Sequence, residues 1–161
     1  MVTVLLTGVG GAAGIGAIGS LRRTTDHEVV GVDMDPEAAG LFMADAAAQV
    51  PPAAADGWVD TMVRIVRQHA VDVIVPTVDE ELPRLPELRA ALPEVGIVAP
   101  RQEVIEVARD KYRTSRVLRE AGHAVPRTWV GTAVDEVPDD ASPLIGKPRT
   151  GRGSRGIERL D

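Results

Sequence analysis

VTVLLTGVGGAAG, the sequence of residues 2–14, predicts how the chain begins to fold. Residues 2–6 form a run that is apolar apart from Thr3, which is typical of a strand that is covered on both faces. A glycine-rich turn follows, and residues 15–23 have the apolar spacing of a helix. A strand, a glycine-rich turn and a helix in this order open a parallel α/β sheet. They also place free backbone N–H groups and a helix dipole where an anion can bind.

Later apolar runs extend this pattern along the chain. The predicted strands are residues 27–32, 47–50, 71–76 and 96–99. Helices are predicted at residues 36–44 and 58–69, and a further helix begins at residue 77. Crossovers between parallel strands are right-handed, so we expect residues 2–6 to lie between residues 29–32 and 71–75 in the sheet. The chain has only one Phe, one Tyr and two Trp, so its core must consist of Val, Ile, Leu and Ala. This composition is typical of a parallel sheet with helices on both faces.

Composition excludes several classes of function. The net charge of −6 argues against a general nucleic-acid-binding protein, which is expected to be basic. The lack of cysteine excludes disulfides and thiolate chemistry, and the three histidines do not have the spacing of metal ligands. The first residues have neither the basic start nor the length of a signal peptide, and no apolar run could span a membrane. We therefore expect a cytoplasmic protein with no nucleic-acid or membrane partner and no metal ligand within residues 1–161.

The turn after the first strand has two interpretations. TGVGGAAG fits the TGxxGxxG pattern of the extended short-chain dehydrogenases and epimerases, and Asp33 lies 19 residues beyond Gly14. An acid in this position can hydrogen-bond a ribose, which favours a dinucleotide site. Alternatively, the glycines only allow close packing, and Asp33 and Asp35 form a turn before Pro36. Those enzymes also use a Tyr-x-x-x-Lys pair, whereas the only tyrosine, Tyr112, is followed four residues later by arginine.

The carboxyl ends of two strong strands predict a site for a small polar substrate. Gly10 and Gly11 follow the first strand, and Glu80 and Glu81 follow residues 71–76. Open α/β sheets bind ligands at this edge, so we assign these four residues to substrate binding. We expect at least one of the two glutamates to contact a polar substrate group. The alternative is that both carboxylates only complement the dipole of the helix that they open.

A second glycine-rich sequence, PLIGKPRTGRGSRG, covers residues 143–156. Its first half predicts a short buried strand that ends at Lys147, and its second half places three glycines within six residues. The donors between the glycines suit phosphate oxygens; they are Arg149, Arg152, Ser154 and Arg155. We expect residues 149–156 to form a mobile hairpin tip that can close over the phosphates of a nucleotide. Lys147 is expected to be ordered and to point toward the side where that nucleotide would lie. The alternative is a flexible, solvated basic loop.

DKYRTSRVLREAGHAVPRTW, at residues 110–129, precedes this glycine-rich sequence. It begins inside a predicted helix at residues 103–121 that breaks near residues 108–110, and it ends in a predicted strand at residues 127–130. Together with PTVDEEL, these two motifs resemble the ATP-grasp superfamily, and most closely the proteins similar to the carbamoyl-phosphate synthase large subunit. The resemblance covers essentially the whole chain.

This resemblance implies a domain organisation and an ATP site. It implies a Rossmann-like pre-ATP-grasp domain at residues 1–108 and the incomplete first lobe of an ATP-grasp domain at residues 109–161. In that superfamily, one lysine on a helix and one on a strand contact ATP phosphates or the base, and a glycine-rich hairpin covers the phosphates. The implied ATP-binding residues are Lys111, Lys147, Arg149, Gly151, Arg152, Gly153, Ser154, Arg155 and Gly156.

The resemblance also implies an activity, that of a carboxylate–amine ligase or a related enzyme. In such a ligase ATP phosphorylates a carboxylate, and an amine or another nucleophile displaces phosphate from the acyl phosphate. The implied cofactors are ATP and Mg²⁺. The metal ligands are expected beyond residue 161, and no catalytic residue is expected within the chain.

The superfamily pattern continues beyond residue 161. We therefore expect either a truncated chain or a second lobe on a separate polypeptide, with poor ATP affinity and no turnover by residues 1–161 alone. The expected partners are a small-molecule carboxylate and either a second copy of the chain or that separate polypeptide. Two other functions stay open: an NAD-dependent epimerase or dehydrogenase, and a non-enzymatic nucleotide-sensing or partner-binding domain.

Overall fold

A computed structural model describes residues 1–151 and 153–160, apart from the side chain of Val134. The chain divides into two compact units, Met1–Ala99 and Pro100–Asp161. The domain boundary between residues 108 and 109 stays a prediction. No helix in the described part of the chain is long and apolar enough to cross a bilayer.

The first unit contains a five-stranded sheet in which all strands are parallel. Its strands are β1 (Thr3–Thr7), β2 (Glu28–Asp33), β3 (Ala46–Gln49), β4 (Val73–Val75) and β5 (Gly96–Ile97), in the order β3-β2-β1-β4-β5. The predicted fold class is confirmed, and β1 lies at the centre between β2 and β4 as expected. In this register Leu5 lies opposite Val30 on one side and Ile74 on the other.

Helices cover both faces of this sheet because both faces are apolar. The α-helices of the first unit are α1 (Ala12–Thr24), α2 (Trp58–Gln68) and α3 (Leu85–Ala91). Val4 and Leu6 pack with Ile18 of α1. Successive strand residues point to opposite faces, so Leu5 belongs to the other face, and it is fully buried. Burying each of these aliphatic side chains stabilises the fold by about 1.5–3 kcal/mol.

Several predicted elements of the first unit are shorter in the structure, among them the strand predicted at residues 71–76, which is Val73–Val75. The helix predicted at residues 36–44 is a 3-10 turn at Ala39–Phe42. It is short because Asp33 and Asp35 accept hydrogen bonds from backbone N–H groups two residues on and hold a turn before it. The strand predicted at residues 96–99 ends at Ile97. A second 3-10 turn, Asp79–Arg84, leads from β4 into α3.

The second unit begins with two consecutive helices. They are α4 (Gln102–Arg109) and α5 (Lys111–Glu120), so the predicted helix at residues 103–121 breaks at Asp110, close to the predicted position. The Asp110 side chain causes the new start, because its Oδ1 accepts hydrogen bonds from the backbone N–H groups of Tyr112 and Arg113. Gly122, with φ +83°, follows the end of α5.

A small hairpin completes the second unit after two 3-10 turns. Its strands are β6 (Leu144–Gly146) and β7 (Glu158–Leu160), which pair antiparallel. The 3-10 turns are Gly131–Glu136 and Asp139–Ala141. Residues 127–130 do not form the strand that was predicted. Within the described residues β6 and β7 pair only with each other. A strand at residues 127–130 would have no partner for its backbone hydrogen-bonding groups.

Candidate functional site

A cavity of about 690 Å³ lies in the second unit. Four cationic residues line it: Lys111, Arg127, Lys147 and Arg149. Much of the remaining wall is apolar or aromatic, and includes Tyr112, Trp129, Val130, Leu144 and Ile145. A pocket of this kind, apolar with a few convergent polar groups, is typical of small-molecule sites.

Lys111 and Lys147 are the only two lysines of the chain, and both line this cavity. Lys111 is the first residue of α5, and Lys147 directly follows β6. Lys111 Nζ donates a hydrogen bond to the backbone carbonyl of Gly151 at 2.8 Å. The structure therefore brings together two lysines that are 36 positions apart in the sequence.

Arg149 binds the start of α5. Its Nε donates to Asp110 Oδ1 at 3.1 Å, and its Nη2 pairs with Asp110 Oδ2. Its guanidinium lies over the ring of Tyr112, with 5.6 Å from Cζ to the ring centroid. The Arg149 hydrogen bond, followed by the backbone N–H of Arg113, lowers the pKa of Asp110 to about 2. Asp110 is therefore ionised at every pH at which the protein would work.

The rest of the predicted ATP-binding hairpin lies elsewhere. Four of its residues have a left-handed backbone: Gly151, Gly153, Ser154 and Gly156, with φ of +108°, +64°, +57° and +66°. Residues 153–156 are exposed and do not line the cavity. Arg152 lies outside the described residues. Of the predicted donors, the structure thus gathers Lys111, Lys147 and Arg149 at one cavity.

In the first unit, the glycine-rich turn after β1 is occupied by the protein itself. The N–H of Gly10 donates to Asp33 Oδ2 at 2.7 Å, and the N–H of Gly11 donates to the carbonyl of Gly8 at 3.0 Å. The segment after β2 packs directly on the turn, since a Cβ added to Gly40 would lie 2.1 Å from the carbonyl oxygen of Val9. Two of the amides that a dinucleotide phosphate could use are therefore already bonded within the protein. The acid that was considered for a ribose, Asp33, is one of the groups that bond them.

Glu81 is buried at the carboxyl ends of β1 and β4, with 4% of its surface exposed. Thr7 Oγ1 donates to Glu81 Oε2 at 2.6 Å and accepts from the N–H of Thr77 at 2.9 Å. Burial raises the pKa of Glu81 to about 7, the bond from Thr7 opposes this, and the charges of Asp33 and Glu80 add to it. A carboxyl with this pKa exchanges a proton near neutral pH.

The two predicted glutamates thus differ in their surroundings. Glu80 is exposed, whereas Glu81 is turned inward at the edge of the sheet where a ligand was expected. Its contact with a substrate stays a prediction. Thr7, which holds Glu81, was not identified from the sequence, although a polar residue at the end of a buried apolar run is a usable signal.

Residues 4–99 match the family model described as "PylC-like, N-terminal domain", which is more than half of the chain. The chain belongs to this family. The PylC-like N-terminal domain coincides with the first unit, and it carries the Thr7–Glu81 pair and the closed glycine-rich turn. No curated protein sequence matches the chain.

Solved structures similar to the chain include enzymes of three kinds. N5-carboxyaminoimidazole synthetase from Staphylococcus aureus, complexed with ADP, matches with a TM-score of 0.75 and 19% identity over 99% of this chain and 41% of that one. The biotin carboxylase domain of 2-oxoglutarate carboxylase from Hydrogenobacter thermophilus was solved with MgADP, ADP and bicarbonate. It matches with a TM-score of 0.68 and 19% identity over 98% of this chain and 37% of that one. L-amino acid ligase from Bacillus licheniformis matches with a TM-score of 0.68 and 15% identity over 100% of this chain and 39% of that one.

These likenesses show a shared fold that includes the second unit beyond the PylC-like N-terminal domain. The chain spans 37–41% of the length of these three enzymes. At 15–19% identity, these neighbours show the fold alone. They do not single out the carbamoyl-phosphate synthase large subunit.

Proposed function

We propose that this chain is the nucleotide-binding part of an ATP-dependent ligase that activates a carboxylate as an acyl phosphate. One observation carries the proposal: the only two lysines of the chain line a single cavity whose remaining wall is largely apolar. Phosphates need cations, and an adenine ring needs an apolar surface. The enzymes that share the fold include one solved with ADP and one solved with MgADP.

Each side of the cavity has a role in this proposal. Lys111 and Lys147 neutralise phosphate charge, which is the main service that a protein gives to phosphoryl transfer. Ile145, which is 60% exposed in the cavity wall, offers an apolar surface for the base. The backbone N–H groups of Gly151, Gly153 and Gly156 are the proposed cover of the phosphates. The same role is proposed for Ser154, Arg155 and Arg152.

The proposed reaction has two balanced steps. A carboxylate oxygen of the substrate attacks the γ-phosphorus of ATP, and ADP leaves. An amine or another nucleophile then attacks the acyl carbon, the bond to the phosphate oxygen breaks, and inorganic phosphate leaves with the proton going to solvent or a base. Among the described residues, no group of three or more His, Cys, Asp or Glu could hold a metal ion. These residues do not fit a Mg²⁺ site, and we derive no step through the metal.

We propose substrate binding at the strand ends of the PylC-like N-terminal domain. Glu81 is the main candidate, because a buried carboxyl with a pKa of about 7 can accept from or donate to a polar substrate group. A role for Gly10 and Gly11 requires Asp33 to release the N–H of Gly10. A carbamoyl-phosphate synthase-like substrate rests on the sequence motifs alone. So does assembly with a second copy or with a separate second lobe.

Acylation of the lysines tests the proposed ATP site directly. With only two lysines, a mild acetylating reagent and mass spectrometry report Lys111 and Lys147 one by one. We expect millimolar ATP to slow acetylation of both lysines several-fold, because phosphate oxygens bind and cover the amines. The amino group of Met1, a residue that is 97% exposed, serves as the internal reference. Adenosine, which has no phosphate, is the matched control ligand.

Unchanged acetylation of both lysines at millimolar ATP would contradict the proposal. Equal protection by adenosine would show that the cavity binds the base without using the lysines for phosphate, which also contradicts it.

A further inference from the structure

Four contacts join the start of α5 to the glycine-rich segment. The N–H of Lys111 donates to the carbonyl of Arg149 at 2.9 Å, and Lys111 Nζ donates to the carbonyl of Gly151 at 2.8 Å. The Arg149 guanidinium pairs with Asp110 and lies over Tyr112. Residues 110–112 and 149–151 are therefore tied together by backbone and side chains alike.

The Nε–Nη2 side of Arg149 is already used in this arrangement and cannot also bind a phosphate. Its Nε and Nη2 both face the Asp110 carboxylate, and one face of the guanidinium is taken by Tyr112. A carboxylate and a phosphate compete for the same fork of donors on arginine. Asp110 in turn has two duties, because its Oδ1 also caps α5. Without the Arg149 pair, only the two hydrogen bonds of Lys111 would hold the segment that follows Lys147.

We propose that Asp110 and Arg149 are positioning residues, which fasten the segment after Lys147 to the start of α5 and so hold Lys111 and Lys147 at one cavity. This inference rests on the proposed ATP site. It replaces the direct phosphate contact that the sequence motif suggested for Arg149. In this role Arg149 acts through Lys111 and Lys147, and it does not itself touch the nucleotide.

A double-mutant cycle separates positioning from direct binding. The variants are Asp110→Asn, Arg149→Ala and the double variant. Asn keeps the helix cap while removing the charge that binds Arg149. If the pair acts as a unit, each single change weakens ATP binding by about tenfold, and the double change adds no more than about twofold. Binding of adenosine should change little, since the base does not depend on the two lysines.

A direct phosphate contact predicts a different pattern. Arg149→Ala would then weaken ATP binding, while Asp110→Asn would leave it unchanged or strengthen it because the guanidinium is freed. Either result for Asp110→Asn overturns the inference. Glu106→Gln is the matched control, since it removes the neighbouring exposed pair of Glu106 and Arg113, 3.8 Å apart, away from the cavity wall. It should leave ATP binding unchanged.

Hydrogen exchange measures the fastening without any nucleotide. The amide of Lys111, which bonds to the carbonyl of Arg149, should exchange several-fold faster in Asp110→Asn and in Arg149→Ala, and at the wild-type rate in Glu106→Gln. Unchanged exchange in both variants would overturn the inference even if ATP binds. If the wild-type chain bound no ATP, the proposed function would fail, and exchange would still decide whether the pair fastens the segment.

Discussion

The chain contains two glycine-rich turns that look alike in sequence and differ in the structure. After β1, the amides of Gly10 and Gly11 are bonded inside the protein, and Gly40 lies against the backbone of Val9. After β6, Gly151 and Gly153 have open space where a Cβ would point. The first turn therefore uses glycine for close packing, whereas the second uses it for unusual backbone angles at the surface.

The charges around the two turns differ in the same sense. The first lies near the buried Glu81 and beside Asp33, so an incoming phosphate would meet carboxylates. The second starts between Lys147 and Arg149 at a cavity. A glycine-rich motif thus predicts a phosphate site only when its amides are free and the neighbouring charge is positive. This difference argues against the dinucleotide interpretation of TGVGGAAG and favours the second turn as the nucleotide site.

Gly40→Ala should have the largest effect, and it tests whether the first turn is closed. The new Cβ would lie 2.1 Å from the carbonyl oxygen of Val9, so backbone must move. We expect a loss of at least about 3 kcal/mol in the free energy of unfolding, measured with urea. Gly16→Ala is the control, because nothing lies within 4 Å of its added Cβ and it sits in α1. It should stabilise the protein by about 0.5–1 kcal/mol. Equal effects of the two changes would mean that the first turn is not closed by packing.

Glu81→Gln should have the next largest effect, and it tests the buried acid beside the first turn. The pKa of Glu81 rises from 4.5 to about 7 on folding, so the folded state binds more protons than the unfolded state in this window. The contribution of Glu81 to the free energy of unfolding is most favourable below pH 4.5. It falls by on the order of 3 kcal/mol as the pH rises to 7. Glu81→Gln should remove this loss.

The measurement is the difference in unfolding free energy between wild type and Glu81→Gln at several pH values. That difference should grow in favour of the variant from pH 4.5 to pH 8. Glu94→Gln, an exposed glutamate on the same unit, should keep the wild-type pH profile. A pH-independent difference for Glu81→Gln would show that this carboxyl titrates normally.

Lys147→Ala should have the smallest effect of the three, and it tests whether the nucleotide binds at the second turn. Loss of one charged partner of a phosphate costs about 1.5–3 kcal/mol, so ATP affinity by calorimetry should fall by at least about tenfold. Lys147→Arg, which keeps the charge, should retain more of the affinity. Asp33→Ala, which frees the N–H of Gly10, should change ATP affinity little. The contrast between the two turns would break if Asp33→Ala had the larger effect on ATP affinity.

Local sequence patterns predicted the fold well. The apolar run at residues 2–6, the turn after it and the alternation of strands with helices gave the sheet and its order. The break near Asp110 was also predictable, because a new set of apolar positions starts there. The strand at residues 127–130 was wrong, since pairing depends on a partner that local composition does not reveal.

The chemistry of the sites was harder to predict because its contacts are long in sequence. Thr7 and Glu81 are 74 positions apart, and Asp110 and Arg149 are 39 apart. The position of Asp33 at the end of the second strand favours a contact with a ribose, yet its carboxylate bonds the glycine-rich turn instead. No pattern in the sequence tells which of these two partners an acid will choose.

The scarcity of aromatic residues has a consequence for optical spectroscopy. Each compact unit holds one of the two tryptophans: Trp58 is 1% exposed in the first, and Trp129 lies in the cavity wall of the second. An indole in an apolar core emits at shorter wavelength than one that faces open solvent. The intrinsic fluorescence of the unmodified protein therefore contains one tryptophan reporter for each unit, a fully buried indole in the first and a half-buried indole in the second. With no label, one emission spectrum can follow whether the two units melt together or one after the other.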